Sequence, residues 1–211
     1  SPAVGDIDND GEIEIIVTSK NKHCYVIDEN GNIELNYETD QYLMGSPTLA
    51  NIDNDNNLEI IFTGYTNSGD IFAINHNGTN VDNFPVNIDE KILRGVAVYD
   101  INNNGKDDIV VATESEKNIA IIYDNGNQET LFTSSQKFKS APSIIDINNE
   151  ILIVAGDEGG NFYGIDQNGN LVFNLQTQDN IRSEAGFITY NNQLLIFIGS
   201  EDGYLYGIDT N

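Results

Sequence analysis

Short apolar runs separated by turn-forming residues recur along the whole chain. The most apolar run of each recurrence lies at 13–19, 58–63, 109–113, 151–155 and 194–198. These runs lack the alternation of a half-exposed strand, which indicates strands covered on both faces. A later run alternates and carries Asn, Glu or Gln, as Ile33–Glu38 does, and this suits an outer edge strand. We therefore predict short antiparallel strands in sheets that pack face to face.

The recurrence has a fixed period. Equivalent segments begin at Asp6, Asn51, Asp100, Asp146 and Thr189, so by subtraction they are 45, 49, 46 and 43 residues apart. A period of about 40–50 residues with about four short strands per unit is the signature of propeller blades. The sequence predicts an all-β propeller of four-stranded antiparallel blades. The five repeats lie at about 1–45, 46–94, 95–140, 141–183 and 184–211.

The last repeat stops where a fourth strand is expected, at Thr210 and Asn211. We therefore expect an arc of a larger ring, for which about six to eight blades is an ordinary size.

Asn-Gly pairs stand between the third and fourth strands of four repeats. They are Asn30-Gly31, Asn77-Gly78, Asn125-Gly126 and Asn168-Gly169. Asn and Gly tolerate the positive φ values of a tight two-residue hairpin turn. Two-residue turns are therefore predicted at the same corner of four blades.

Oxygen-bearing side chains alternate between the first and second strands of the first repeat. The candidate ligands of this loop are Asp6, Asp8, Asp10, the Glu12 carbonyl and Glu14. A hard divalent cation takes six to eight oxygens, and Gly11 permits the sharp turn that brings them together. An EF-hand would need its closing Glu at the twelfth position, where this chain has Val17. The sequence predicts a calcium loop between two strands.

Two further repeats carry the same loop with fewer carboxylates. The second set is Asn51, Asp53, Asp55, the Asn57 carbonyl and Glu59. The third set is Asp100, Asn102, Asn104, the Lys106 carbonyl and Asp108. Ligand carboxylates fall from four to three to two, so affinity should fall in the same order. For the third loop an Asn-rich turn without metal is the alternative.

In the fourth and fifth repeats the loop is missing, and Asn148-Asn149 and Asn191-Asn192 lead directly into the next strand. Asn pairs can form a tight turn without help. The same corner is thus predicted both with and without calcium, which favours a structural role for the ion.

The net charge narrows the possible partners. The 211 residues include 34 acidic and 9 basic residues, for a formal charge of −25. Nucleic acid and anionic membrane surfaces require clustered Lys and Arg, so both are excluded as partners. No long apolar run is present, so membrane insertion is excluded as well. Cys24 is the single cysteine and is interpreted as a small buried hydrophobe.

The loop sequences resemble a known family. SPAVGDIDNDG at 1–11 followed by EIIV at 14–17 is similar to the FG-GAP/VCBS repeats of integrin-α-type β-propellers. GDEGGNFYGIDQNG at 156–169 is similar to the blades of quinoprotein-like propellers. The resemblance covers the whole chain. It implies four-stranded blades, calcium in blade loops, and a role in adhesion or ligand binding outside the cytosol.

Propeller topology sorts the loops between two faces. The calcium loops and the Asn-Gly turns share one face, and the other connections share the opposite face. Eight basic residues fall in or beside the latter connections, namely Lys20, Lys22, Lys91, Arg94, Lys117, Lys137, Lys139 and Arg182. Tyr42, Tyr65, Phe138 and His23 are expected there too. This face is predicted to bind a protein or glycan, although the lysines could equally be decoration of longer connections.

Catalytic motifs are not recognisable in the sequence. His23 and His76 are the only histidines, and neither lies in a nucleophile or metal motif. We therefore expect no enzyme activity, and a calcium-binding propeller for adhesion, ligand binding or scaffolding in a secreted or cell-surface protein. The alternative is an accessory propeller of a secreted enzyme, such as a polysaccharide lyase or a peptidase.

Overall fold

The computed structural model describes residues 1–53, 55–147, 150–190 and 193–209. Within these ranges the chain is all-β and forms five antiparallel sheets. Each sheet is called a blade, numbered 1 to 5 in chain order. Strands that follow one another in sequence are hydrogen-bonded neighbours in every blade. The predicted fold class is confirmed.

The strands of blades 1 and 2 are β1 (Ala3–Gly5), β2 (Glu14–Thr18), β3 (His23–Ile27), β4 (Ile33–Glu38), β5 (Thr48–Ala50), β6 (Glu59–Thr63), β7 (Gly69–Ile74) and β8 (Val86–Glu90). Those of blades 3 and 4 are β9 (Ala97–Tyr99), β10 (Asp108–Ala112), β11 (Asn118–Ile122), β12 (Gln128–Thr133), β13 (Ser143–Ile147), β14 (Glu150–Gly156), β15 (Asn161–Asp166) and β16 (Leu171–Gln176). Blade 5 has three, β17 (Gly186–Tyr190), β18 (Gln193–Gly199) and β19 (Leu205–Asp209).

The core lies between neighbouring blades. A separate apolar cluster joins each consecutive pair of blades. Between blades 1 and 2, Phe62 stacks on Phe72 with ring centroids 5.0 Å apart, and Tyr37 of β4 meets Phe62 edge-on at 5.8 Å. Cys24 lies in the same cluster, and burial raises the pKa of its thiol to about 12. The thiol therefore stays neutral, which agrees with its interpretation as a small buried hydrophobe.

The sequence predicts that the second strand of each blade is covered on both faces. This prediction is wrong for the two end blades, 1 and 5. All five side chains of β6 and of β10 are buried. In contrast, β2 and β18 alternate, because blades 1 and 5 each have a neighbour on one face only. Val4 and Ile33 of blade 1 are 59% and 60% exposed, and Ile188 of blade 5 is 50% exposed. The sheets do not close into a ring, which is consistent with an arc.

The Asn-Gly turns have three residues in the loop rather than two. In the first, the Asp28 N–H donates to the Asn32 carbonyl and the Gly31 N–H donates to the Asp28 carbonyl. The positive φ falls on glycine alone, at 84°, 82°, 80° and 79° in the four turns. The Asp28 carboxylate accepts N–H groups of Asn30 and Asn32, which stabilises the longer loop. This is the hairpin in which a type I turn is followed by a glycine bulge.

Two turn glycines offer a matched comparison. A Cβ at Gly169 would lie 2.2 Å from the Leu131 carbonyl oxygen of blade 3, whereas a Cβ at Gly31 would meet nothing within 4 Å. We expect Gly31→Ala to lose about 1 kcal/mol from positive-φ strain alone. Gly169→Ala should lose about 1–3 kcal/mol more, because the blade contact must also open. Chemical denaturation of both variants measures this, and equal losses would contradict the packing described.

Candidate metal centres

Three loops have the same position and register within their blades. Loop 1 (residues 6–13), loop 2 (51–58) and loop 3 (100–107) each join the first and second strands of a blade. Their flanking pairs are Gly5–Glu14, Ala50–Glu59 and Tyr99–Asp108, all in antiparallel register. The last ligand position is therefore the first residue of the second strand, where the sheet fixes its backbone. The shared position and register account for the recurrence of acidic residues at that position.

Loop 1 gathers three of its four predicted carboxylate ligands. Oxygens of Asp6, Asp8 and Glu14 lie within 4.8 Å of one another. Asp10 is exposed and outside this group, and its Oδ1 accepts the Glu12 N–H at 2.8 Å. Repulsion from Glu29 and then from Asp10 raises the pKa of Glu12. The loop thus concentrates negative charge at the corner of the blade.

Backbone geometry curls loop 1 around these oxygens. The Gly11 N–H donates to Asp6 Oδ2 at 3.0 Å, and the Ile7 N–H donates to Glu14 Oε2 at 2.9 Å. Asn9 and Gly11 have positive φ values of 60° and 92°. The predicted role of Gly11 in the turn agrees with this backbone.

Loop 2 also gathers three carboxylates, but it uses Asp55, the equivalent of Asp10, and has Asn51 at the position of Asp6. Oxygens of Asp53, Asp55 and Glu59 lie within 4.8 Å of one another. The Ile52 N–H donates to Glu59 Oε2 at 2.8 Å, and the Asn57 N–H donates to Asp55 Oδ1 at 2.7 Å. Asn54 lies outside the described residues. Carboxylate sets of this kind suit a hard cation.

Among the described residues, three buried oxygens at the ligand positions of loops 1 and 2 have no hydrogen-bond donor. They are Asp6 Oδ1, Asn51 Oδ1 and Glu59 Oε1. A buried acceptor without a donor costs about 1–3 kcal/mol, and more when it is charged. All three atoms stand at predicted ligand positions, where a cation would satisfy them. The residues of loops 1 and 2 could therefore hold a metal ion.

Hydrogen bonds from within the chain hold the carboxylates of loop 3. Asp100 accepts the N–H groups of Asn104 and Gly105 at 2.9 and 2.8 Å. Asn102 Nδ2 donates to both carboxylate oxygens of Asp108. In the part of the chain that the structure describes, clusters of three potential metal-binding side chains of Asp, Glu, His or Cys form in loops 1 and 2 only. A third calcium site stays a prediction from the sequence.

Contacts between loops are the features that sequence reasoning missed. Asp107 Oδ2 accepts the Asn51 N–H at 2.9 Å, and the Asp107 N–H donates to the Asn51 carbonyl at 2.7 Å, so loop 2 is joined to loop 3. Asn9 Nδ2 donates to the Asn56 carbonyl and joins loop 1 to loop 2. These contacts cross between blades, and local spacing carries no signal for them.

The corners of blades 4 and 5 were predicted to close by Asn-Asn turns. Asn148, Asn149, Asn191 and Asn192 lie outside the described residues. The flanking pairs are Ile147–Glu150 and Tyr190–Gln193.

The connections between second and third strands and those between blades carry most of the basic residues. Lys22 Nζ lies 5.6 Å from the Tyr42 ring centroid, and Lys91 Nζ lies 5.9 Å from that of Tyr65. The Tyr65 N–H donates to the Tyr42 carbonyl, so the backbones of the two residues are adjacent. Phe138 is 1% exposed and belongs to the core, so its predicted place on the face opposite the calcium loops is wrong.

Burial affects two of the acidic ligand positions. It raises the pKa of Glu59 to about 7 and that of Asp108 to about 6. A cation held by loop 2 would coordinate the ionised carboxylate, so below pH 7 it would have to displace a proton from Glu59.

We therefore expect the apparent calcium affinity of loop 2 to fall about tenfold between pH 8 and pH 6. The stability of the metal-free protein should change in the opposite direction and fall as pH rises. Because the folded-state pKa is raised, protonation of Glu59 favours the fold, and this stabilisation is lost as pH rises through 7. Titration of Asp8→Ala, which isolates loop 2, measures the affinity change. Glu59→Gln in the same background is the control, and an affinity independent of pH would contradict the expectation.

The chain matches no protein-family model and no curated protein by sequence. It is similar to the solved Pseudomonas aeruginosa PilY1 C-terminal domain, with a TM-score of 0.69 and 12% identity, over 100% of this chain and 70% of that one. It is similar to BBS1N in complex with ARL6DN, with a TM-score of 0.66 and 12% identity, over 98% and 65%. It is also similar to the V. cholerae biofilm matrix protein Bap1, with a TM-score of 0.65 and 15% identity, over 99% and 41%.

The fold is that of a β-propeller. Identities of 12–15% show the fold alone. The chain spans less than two thirds of the length of the BBS1N and Bap1 structures.

Among the described residues, no helix is long and apolar enough to cross a membrane.

Proposed function

We propose that this chain is a calcium-stabilised, non-catalytic propeller of the FG-GAP/VCBS type that serves in binding, adhesion or scaffolding. The observation that carries the proposal is the placement of the buried, donorless oxygens of Asp6, Asn51 and Glu59 at ligand positions of two loops. The ion would be held by Asp6, Asp8, Asp10, the Glu12 carbonyl and Glu14 in loop 1. In loop 2 it would be held by Asn51, Asp53, Asp55, the Asn57 carbonyl and Glu59.

Calcium has a structural role in this proposal. Each loop connects the end of one strand to the start of the next. The three loops are linked by the hydrogen bonds Asn9–Asn56 and Asn51–Asp107. An ion that orders loop 1 or loop 2 would therefore also stabilise the packing of blade against blade. It would act by neutralising the clustered carboxylates.

The location proposed is extracellular. Calcium loops of extracellular modules have dissociation constants on the order of 0.1–1 mM, so cytosolic calcium would leave them largely empty. Empty loops would expose the blade corners to carboxylate repulsion.

We place the partner surface on the face opposite the calcium loops and propose a protein partner. Tyr42 is 48% exposed and lies beside Tyr65, with Lys22 and Lys91 over the two rings. Tyrosine with a neighbouring cation is typical of the residues that contribute most to protein interfaces. Solved propellers of similar fold include BBS1N in complex with ARL6DN and a biofilm matrix protein.

The proposed function is tested with the chain immobilised in calcium and exposed to the extracellular protein fraction of its source and to a glycan array. We expect specific retention of a protein by the parent and at least tenfold weaker retention by Tyr42→Ala/Tyr65→Ala. Glu129→Ala, on the exposed edge of blade 3, is the matched control and should bind as the parent does. Depolymerisation of a polysaccharide by the chain would instead favour the accessory domain of an enzyme.

A further inference from the structure

Loop 3 satisfies its own buried carboxylate. Asp108 is 0% exposed, and Asn102 Nδ2 lies 3.2 Å from its Oδ1 and 3.1 Å from its Oδ2. The N–H of Ile101 donates to Oδ2 at 3.1 Å, and the N–H of Asp124 donates to Oδ1 at 3.3 Å. Both oxygens of this carboxylate therefore have donors from the chain itself.

Loops 1 and 2 cannot use this arrangement. The residues equivalent to Asn102 are Asp8 and Asp53, and an ionised carboxylate has no proton to donate. Loops 1 and 2 retain buried oxygens without a donor, whereas residues 100–108, all of which the structure describes, retain none. An amide in place of a carboxylate at this position is one of the differences between loop 3 and the other two loops.

A side-chain cation accompanies the amide. Lys106 Nζ lies 3.2 Å from Asp124 Oδ2, and Asn104 Nδ2 donates to Asp124 Oδ1 at 3.1 Å. Asp124 belongs to the turn between β11 and β12, so these contacts tie loop 3 to the second corner of blade 3. The positions equivalent to Lys106 are Glu12 in loop 1 and Asn57 in loop 2, which bring no positive charge.

We propose that loop 3 is closed without a metal ion, by the Asn102 amide on Asp108 and the Lys106 ammonium on Asp124. Asn102 is the residue that decides between the two kinds of corner. The corner at loop 3 then forms at any calcium concentration, and calcium binding at loops 1 and 2 rests on the proposed function. This inference concerns loop 3 and does not depend on whether loops 1 and 2 bind calcium.

The first test compares Asn102→Ala in chelator and in calcium. Loss of hydrogen bonds to a buried carboxylate should lower the melting temperature by about 3–10 °C, and by the same amount in both buffers. Asp8→Ala is the matched control, and its loss should appear in calcium only. If Asn102→Ala were harmless in chelator and destabilising only in calcium, Asn102 would be a metal ligand and the proposal would be overturned.

The second test converts the corner. Asn102→Asp removes the amide donor and adds a carboxylate, so it should destabilise the protein in chelator and recover in calcium. Native mass spectrometry should count two calcium ions on the parent and three on Asn102→Asp. Three ions on the parent, of which Asn102→Ala loses one, would overturn the proposal. A parent that binds no ion would contradict the proposed function, and the chelator comparison would still decide the nature of loop 3.

Discussion

Removing calcium is expected to lower the melting temperature by roughly 10–20 °C. A ligand at about a hundred times its dissociation constant stabilises by about 2.7 kcal/mol per site, and two sites contribute about twice that. A protein of this size shifts by about 2–4 °C per kcal/mol. The physical cause is repulsion within the Asp6, Asp8 and Glu14 group and within its counterpart in loop 2 once the cations leave.

Thermal unfolding in calcium and in chelator measures this effect. The control is Asp8→Asn/Asp53→Asn, in which one carboxylate of each cluster is replaced by a neutral amide of similar shape. This variant should be less sensitive to chelator, and in chelator it should be at least as stable as the parent. An unchanged melting curve of the parent in chelator would mean that the clusters do not bind calcium.

The second large effect is expected from the interface between blades 1 and 2. Phe62 is 0% exposed and is enclosed by Phe72 and by Tyr37 of the neighbouring blade. Phe62→Ala should cost about 3–5 kcal/mol, because the transfer free energy of the ring is lost and a cavity remains. Chemical denaturation with a constant slope in denaturant would measure the loss.

Ile33→Ala provides the control for Phe62→Ala. Ile33 also lies in a strand, but it is 60% exposed on the uncovered face of blade 1. Its truncation should change stability by less than about 0.5 kcal/mol. Equal losses from the two variants would show that the faces of blade 1 are not packed as described.

The repeat and the three loops could be predicted from the sequence because their signals are local. A ligand spacing such as that from Asp6 to Glu14 is fixed by a short loop whose ends are held in register. The strands that follow were recognised from apolar runs of ordinary length. Loops and strands specified by a few consecutive residues depend little on the packing of the rest of the chain.

Features that depend on neighbours were missed. The exposure of alternate residues in β2 and β18 follows from a missing neighbour on one side, which no apolar run can show. The turn at Gly31 gained a residue because the Asp28 side chain accepts two backbone N–H groups. The link from Asn51 to Asp107 joins residues of different blades. Each of these is a property of tertiary structure.

The closure of loop 3 could be predicted in part. Its low ligand charge was visible in Asn102 and Asn104, and a turn without metal was an open alternative. The role of Lys106 was not, because its partner Asp124 lies in a separate turn of the blade. The sequence predicts a carbonyl ligand at this position, and local spacing carries no signal for the contact of the side chain.

Calorimetric titration of the metal-free protein with calcium tests the central claim most directly. We expect two ions per chain with dissociation constants on the order of 0.1–1 mM. Asp8→Ala and Asp53→Ala should each lose one ion and keep the other. Absence of saturable binding, or two ions retained by both variants, would contradict the account. A dissociation constant near or below micromolar would remove the argument for an extracellular location.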